Sequence, residues 1–97
     1  MKIVYAPRAL RDLHWIATYL SERSPSAAVN VLAAIKSSIS TLTYFPQVGR
    51  LVDDAGHRRM PVPRYPYVIF YRVEGDELFI LHVRHAARRP IDPANEL

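Results

Sequence analysis

The 97-residue chain has no cysteine, only three glycines and only two lysines. The lack of cysteine excludes a disulfide framework, a thiolate zinc site and a cysteine nucleophile. No run of residues approaches the roughly 18 apolar positions that a membrane span needs. The first eight residues also lack the apolar stretch of a signal peptide. We therefore expect a cytoplasmic protein that has no association with a membrane.

The composition favours a single folded domain that covers residues 1–97. Hydrophobic residues make up 49% of the chain and charged residues 23%, as in globular proteins. The formal net charge is +4, and all the basic residues except Lys2 and Lys36 are arginine. Such a balance suggests an acidic partner, either nucleic acid or an acidic protein. Codon bias in a GC-rich genome would give the same composition. The positions of the arginines therefore have to decide whether the charge serves an acidic partner.

The first half of the chain has the pattern of one short strand and two helices. Residues 2–5 are β-prone, and Pro7 suits the first turn of a helix. Apolar residues recur every third or fourth position from Pro7 to about Glu22, and again between Pro25 and the break at Pro46. The very short turn before Pro25 predicts an antiparallel helix pair. The two apolar stripes are Leu10, Leu13, Ile16, Ala17 and Leu20, and Ala28, Leu32, Ile35, Ile39 and Leu42.

The second half alternates in the manner of strands. Residues 58–62 predict a strand at a sheet edge, because Pro61 cannot donate a hydrogen bond to a neighbour. Residues 67–73 and 77–84 predict a hairpin joined by residues 74–76. The predicted fold class is α+β with two layers: an N-terminal strand, an antiparallel helix hairpin, and a largely antiparallel sheet of three further strands.

The hairpin has two possible registers, and a slip of one residue sends every side chain to the other face. A two-residue loop at Gly75 and Asp76 would place Arg72 beside Phe79 and its apolar neighbours. A three-residue loop keeps arginine out of the core, where an unpaired charge costs on the order of several kcal/mol. We therefore expect the second register. It buries Tyr67, Ile69, Tyr71, Phe79, Leu81 and Val83, and it leaves open Val68, Phe70, Arg72, Ile80, His82 and Arg84.

The open face is predicted to be apolar at its centre and basic at its ends. Large exposed apolar patches on soluble proteins usually mark a binding surface. Ordinary exposure beneath a flexible tail is the alternative. Arg88 and Arg89 continue the basic end of the face, where they could bind an acidic partner or lie in solvent.

The sequence offers no standard catalytic motif. His82 and His85 are three residues apart on a strand and should point to opposite faces, which argues against joint metal ligation. HExxH, a glycine-rich phosphate loop and a serine nucleophile motif are all absent, so no metal or cofactor is expected. A ribonuclease-like set of acid, base and cationic groups is conceivable, although structural roles suit the same side chains. Its candidates are Arg59, Arg72, His82, Arg84, His85 and Arg88, with Tyr65 or Tyr67.

The order of elements and three motifs resemble the ParE/RelE superfamily of bacterial toxins over nearly the whole chain. The motifs are Pro46-x-x-Gly49-Arg50, the run YPYVIFYRV at residues 65–73, and Val83-x-His85-x-x-Arg88. The second and third are typical of the ParE-like branch. Similar proteins are the toxins of two-component modules on plasmids, which they stabilise, and on chromosomes. A labile antitoxin from the same operon silences them.

The resemblance implies two different activities, because RelE-like members cleave messenger RNA on the ribosome whereas ParE members poison DNA gyrase. The basic positions of the nuclease branch correspond here to Arg59, Pro61, Val68 and Ala86, and only Arg59 keeps the charge. We therefore expect a growth-inhibiting gyrase inhibitor rather than an enzyme. The alternatives are an endoribonuclease that uses Arg59, His85 and Arg88, and an inactive relative that only regulates its operon together with its antitoxin.

The expected partners are a cognate antitoxin and DNA gyrase, with DNA contacted only through the toxin–antitoxin complex. The antitoxin should lay a helix or a strand along the open face and the helix pair, with acidic groups on the arginines. The sequence leaves open whether Trp15 belongs to the core or to an interface, and whether residues 91–97 are ordered. The residues expected to bind the antitoxin or the target are Val68, Phe70, Arg72, Ile80, His82, Arg84, Arg88 and Arg89.

Overall fold

The structure, a computed structural model, describes residues 1–87 and confirms the α+β fold. One strand is followed by two helices and then by four strands. Arg88 and Arg89, which were expected to bind a partner, lie outside the described residues. Residues 91–97, whose order the sequence leaves open, also lie outside them. The elements are β1 (Lys2–Tyr5), α1 (Pro7–Arg23), α2 (Pro25–Tyr44), β2 (Arg50–Leu51), β3 (Arg58–Pro61), β4 (Tyr67–Glu74) and β5 (Glu77–His85).

A single residue, Ser24, ends one helix and begins the next. Its backbone N–H donates to the Leu20 carbonyl at 2.7 Å, which closes α1. Its hydroxyl accepts the Ala27 N–H at 3.2 Å and so caps α2. Pro25 follows at the first helical position, where its missing N–H costs nothing. This one-residue connection confirms the predicted antiparallel helix pair.

The strands form one sheet in the order β1-β5-β4-β3-β2. Strand β1 is parallel to β5, and the other neighbours are antiparallel. The two-residue strand β2 was not expected from the sequence, and it pairs with Arg58 and Arg59 of β3. Pro61 lies beyond this pairing, and its nitrogen points to the side of β3 that β2 leaves unpaired. The prediction that residues 58–62 form an edge strand is wrong, because β3 lies between β4 and β2. The missing donor of Pro61 is tolerated because the pairing with β2 has already ended at Arg59.

Near the turn, the β4–β5 hairpin follows the register that the sequence argued against. Glu74 pairs with Glu77, so the loop has two residues, and Gly75 within it has a φ of 60°. Arg72 therefore lies opposite Phe79. The objection to this register assumed that Phe79 is buried with the core. Because Phe79 and Arg72 both lie on the side away from the helices, no arginine enters the core.

Beyond the turn, a β-bulge shifts the pairing by one residue and turns the later side chains to the faces that the three-residue loop predicted. Tyr71 pairs with Ile80, and the next pair is Phe70 with His82, so Leu81 has no partner in the ladder. An extra residue of this kind changes the face to which all later side chains point. The prediction of one register along the whole hairpin is therefore wrong. Before Leu81 the pairs are those of the two-residue loop, and beyond it the side chains face as the three-residue loop predicted but with partners shifted by two residues.

Several predicted burial assignments are wrong, and in β5 the two-residue turn is the reason. Ile80 was expected on the open face but is fully buried in the core, whereas Phe79 was expected in the core but faces away from the helices. In α1, Leu10 is 54% exposed and Ala9 occupies the buried position instead. The core consists of Ala9, Ile16, Val31, Ile35, Ile39 and Leu42 from the helices, Val62, and Tyr67, Ile69, Tyr71, Leu78, Ile80 and Val83 from the hairpin.

Candidate functional site

The open face of the sheet is the side opposite the two described helices. Side chains alternate along each strand, so the register assigns the members of this face directly. Phe79 and His82 lie on it from β5, and Phe70 and Arg72 from β4. The full set is Lys2, Val4, Arg50, Arg59, Pro61, Val68, Phe70, Arg72, Glu74, Glu77, Phe79, His82 and Arg84.

Each aromatic ring at the centre of the open face is stacked against a basic side chain. The Arg72 guanidinium lies 4.4 Å from the Phe79 ring centroid, and that of Arg84 lies 4.7 Å from the Phe70 centroid. The His82 ring stacks on Phe70 with centroids 4.3 Å apart and planes 10° apart. Such contacts hold long basic side chains flat against the sheet. The face therefore presents fixed guanidinium groups around an apolar centre, and that of Arg72 is paired with Glu74 Oε1 at 2.6 Å.

His82 is poorly suited to proton transfer at neutral pH. The pKa of His82 is lowered to about 4, mainly by burial and also by the charges of Arg8 and Arg84. Its Nδ1 atom is buried without a hydrogen-bond partner. A histidine of this kind is neutral at pH 7, and it is too weak a base to take up a proton there.

Asp12 fastens α1 to the part of β5 that extends past β1. There the Val83 N–H has no strand beside it, and it donates instead to Oδ2 of Asp12 at 3.0 Å. Burial raises the pKa of Asp12, while this hydrogen bond and the charge of Arg8 act against the rise. Arg8 lies one helical turn before Asp12 and so on the same side of α1. This contact sets the position of Arg8 near His82 and Arg84.

A second anchor explains the Pro46-x-x-Gly49-Arg50 motif. The buried Tyr71 hydroxyl donates to the Pro46 carbonyl at 2.8 Å and accepts the Gly49 N–H at 2.9 Å. Burial raises the pKa of Tyr71, so the hydroxyl keeps its proton. A Cβ on Gly49 would overlap that hydroxyl and the Arg59 carbonyl. The motif therefore fixes the chain just before β2, from which Arg50 reaches the open face.

The structure separates the candidate nuclease residues. Arg59 pairs with Phe70 and lies on the open face, whereas His85 pairs with Tyr67 on the helix side. The prediction that His82 and His85 point to opposite faces is thereby confirmed. Tyr67 is buried and Tyr65 packs against the core. These residues do not meet around one reacting group.

Several expected members of the open face have different roles. Val68 points to this face but is only 2% exposed, between its sheet neighbours Pro61 and Arg84. The sequence did not predict that Phe79 and Arg50 lie on the open face. The continuous apolar run at residues 78–81 hid the orientation of Phe79, and a two-residue strand leaves no alternation to detect.

On the helix side, a groove of about 420 Å³ runs between α1 and the end of β5. Trp15, Tyr19, Tyr67 and His85 are among its lining residues. Trp15 is 49% exposed and stacks on Tyr19 with centroids 4.9 Å apart, so it is a surface residue rather than a core residue. Within residues 1–87, no group of three or more His, Asp or Glu side chains is arranged to hold a metal, and no helix is long and apolar enough to cross a membrane.

Comparisons with known proteins agree on one family. The model of the ParE toxin of the type II toxin-antitoxin system parDE matches residues 3–90. Toxin RelE2 of Caulobacter vibrioides is 37% identical over 87 residues, which are 90% of this chain and 97% of the relative. The putative toxin Y4kP of Sinorhizobium fredii is 35% identical over 88% of either chain. The chromosomal ParDE system of P. aeruginosa contains the same fold, with a TM-score of 0.76 and 24% identity over 88% of this chain and 95% of that chain.

Proposed function

Because the chain belongs to the ParE toxin family of type II toxin-antitoxin systems, we propose that it arrests growth by binding DNA gyrase and that a cognate antitoxin neutralises it. The observation that carries this proposal is the open face, where fixed cations surround an apolar centre that has no working acid or base. Such a surface suits recognition of another protein.

Catalysis of RNA cleavage would need a proton donor, a proton acceptor and a cation around one phosphate. Among residues 1–87 the only histidine on the open face is His82, which stays neutral and has its Nδ1 buried. His85 and Arg59 lie on opposite sides of the sheet. These facts favour a toxin that acts by binding.

A RelE-type ribonuclease is the second candidate, because the relatives that are 37% and 34% identical are named Toxin RelE2 and Toxin RelE3. Two assays separate the candidates. The purified chain is incubated with gyrase and relaxed plasmid, and separately with programmed ribosomes. We expect loss of supercoiling and an intact message. Codon-specific cleavage of the message, with supercoiling unchanged, would instead establish the ribonuclease.

The antitoxin is proposed to lay an apolar segment with acidic flanks over Phe70 and Phe79. Arg50, Arg59 and Arg84 surround this centre and would meet the acidic flanks. DNA would be contacted only by the complex of toxin and antitoxin. The proposal requires that the antitoxin covers the same face that contacts the target, so one bound protein excludes the other.

The Phe70→Asp variant tests this docking surface. We expect it to weaken antitoxin binding in calorimetry by at least about thirtyfold, because a central aromatic contact is lost. Val68→Asp is unsuitable, since Val68 is buried and its loss would affect folding. Val29 is 67% exposed on α2, and Val29→Asp is the matched control.

Two results would contradict the proposal. If Phe70→Asp retains its circular dichroism spectrum and still binds the antitoxin with unchanged affinity, the antitoxin docks elsewhere. If expression of the wild-type chain alone does not slow growth, the chain is an inactive relative that acts only in regulating its operon.

A further inference from the structure

The segment that follows α2 exposes large apolar side chains to an unusual degree. We call residues 44–52 the apolar edge. Its large hydrophobic residues are Tyr44, Phe45, Val48, Leu51 and Val52, which are 77%, 65%, 60%, 51% and 43% exposed. Single exposed hydrophobic residues are normal, but five within nine positions are unusual, and such a concentration usually marks an interface.

The apolar edge is held rigid by hydrogen bonds. The Val48 N–H donates to the Phe45 carbonyl at 3.1 Å. The Tyr71 hydroxyl binds this segment at Pro46 and Gly49, and Arg58 donates to the Gly49 carbonyl at 2.7 Å. A surface with a fixed backbone loses little conformational freedom when a partner binds. The exposed side chains are therefore presented in one arrangement.

Strand β2 adds an outward-pointing backbone N–H and C=O to the apolar edge. The Val52 N–H donates to the His57 carbonyl at 2.9 Å, and Arg50 pairs with Arg59, so these residues turn their polar groups toward β3. Leu51 lies between them, and its N–H and C=O must point away from β3. Within residues 1–87, β2 is the last strand of the sheet on this side. An outermost strand of this kind is a template for pairing with another strand.

The charges beside β2 suit a second copy of the same segment. Arg50 lies at one end, and Asp53 and Asp54 follow Val52 at the other. When two identical strands meet in antiparallel orientation, the basic end of each copy approaches the acidic end of the other. The open face has no such balance, because its basic side chains outnumber its two acidic ones, Glu74 and Glu77.

The exposed area is of the size that a dimer needs. With roughly 200 Å² per aromatic residue, the exposed fractions of Tyr44 and Phe45 leave about 280 Å² on these two residues alone. The exposed parts of Val48, Leu51 and Val52 add to this area. Two copies related by a two-fold axis would contribute twice the total. With its polar rim, the contact would reach the roughly 1,000 Å² of a specific interface.

We propose that the apolar edge is the contact surface for a second copy of this chain, with the two β2 strands paired in antiparallel orientation about a two-fold axis. The Leu51 N–H of each copy then donates to the Leu51 carbonyl of the other. Phe45 and Val48 pack beside this pairing and exclude water from it.

Sedimentation equilibrium of the purified chain over a range of concentrations tests the proposal. We expect a monomer–dimer equilibrium whose dissociation constant rises at least about tenfold in Phe45→Glu, because a central apolar contact is lost. Leu51→Pro should weaken the dimer as well, since it removes the outward N–H while the bonds of Arg50 and Val52 to β3 remain. Val29→Glu is the matched control and should dimerise like the wild type.

Three outcomes would overturn the proposal. One is a wild-type chain that stays monomeric at millimolar concentration. Another is a dimer that Phe45→Glu and Leu51→Pro leave intact, which would place the interface elsewhere. A third is a monomeric wild type in which Phe45→Glu abolishes growth arrest, which would assign the apolar edge to the target protein.

Discussion

The open face and the apolar edge both expose aromatic side chains, but they do so in opposite ways. On the open face, Phe70 and Phe79 are half-buried, and each lies beneath a guanidinium or an imidazole. On the apolar edge, Tyr44 and Phe45 are more than 60% exposed. The open face therefore exposes basic groups stacked on apolar rings, whereas the apolar edge exposes hydrophobic side chains and has little net charge.

This difference suits the two surfaces to different kinds of partner. A basic face repels its own copy and attracts an acidic protein, and such electrostatic complementarity favours fast and selective association. The nearly neutral apolar edge can contact a second copy of itself without charge repulsion. The open face and the apolar edge meet at Arg50, which belongs to both.

Gly49→Ala should have the largest effect, because Gly49 lies where the two regions meet. A Cβ there overlaps the Tyr71 hydroxyl and the Arg59 backbone carbonyl, and a backbone atom cannot move aside cheaply. We expect a loss of about 3 kcal/mol in the free energy of unfolding, measured by urea denaturation.

Gly75→Ala is the matched control for this substitution. A Cβ at Gly75 meets nothing within 4 Å, so only its positive φ is unfavourable. A loss of about 1 kcal/mol is expected there. Equal losses at the two glycines would mean that the overlap at Gly49 relaxes freely and that the two regions are not joined through it.

Tyr71→Phe should have a smaller effect that is confined to the apolar edge. It leaves the Pro46 carbonyl and the Gly49 N–H without their partner, at a cost of about 1–3 kcal/mol. The Gly49 amide should exchange with solvent faster, while amides of the β4–β5 ladder keep their protection. Tyr44→Phe, at a position that is 77% exposed, is the control and should change neither quantity. Unchanged exchange at Gly49 would show that the hydroxyl does not hold the edge.

The sequence predicts most of the fold because proline and serine mark the ends of the helices. Pro7, Ser24 and Pro25 delimit α1 and α2 within one residue of the predicted positions. In β5 the run at residues 78–81 is apolar throughout, so its alternation cannot reveal that Leu81 is an extra residue in the strand. The two-residue turn therefore places Phe79 on the open face and Ile80 in the core, and the bulge returns His82 and Arg84 to the predicted face.

The apolar edge escaped prediction for a different reason. Tyr44 and Phe45 end an apolar periodic helix, and such residues are normally buried. Only the three-dimensional position of Tyr71 reveals that the chain turns away from the core at Pro46. Sequence periodicity reports which side chains could share a face, but it does not report whether another element covers that face.

The smallest predicted effect is one of pH, and it belongs to the open face alone. The pKa of His82 is lowered to about 4, mainly by burial and also by Arg8 and Arg84, whereas an unfolded histidine titrates near 6.5. Between these values the unfolded chain binds a proton that the folded chain does not. The free energy of unfolding should therefore fall as the pH is lowered from about 6.5 to 4, and this contribution should level off below pH 4.

His82→Phe isolates this effect, since it keeps a ring stacked on Phe70 but cannot titrate. Asp12 and Asp53 change their protonation in the same acidic range, with opposite signs, because the pKa of Asp12 is raised and that of Asp53 is lowered. Both are present in either protein, so their contributions cancel in the difference between the two stability profiles. We expect the variant to lose less stability on acidification than the wild type, as measured by urea midpoints across the pH range. Parallel profiles would mean that His82 is solvated in the folded chain, and the contrast between a shielded face and a bare edge would then fail.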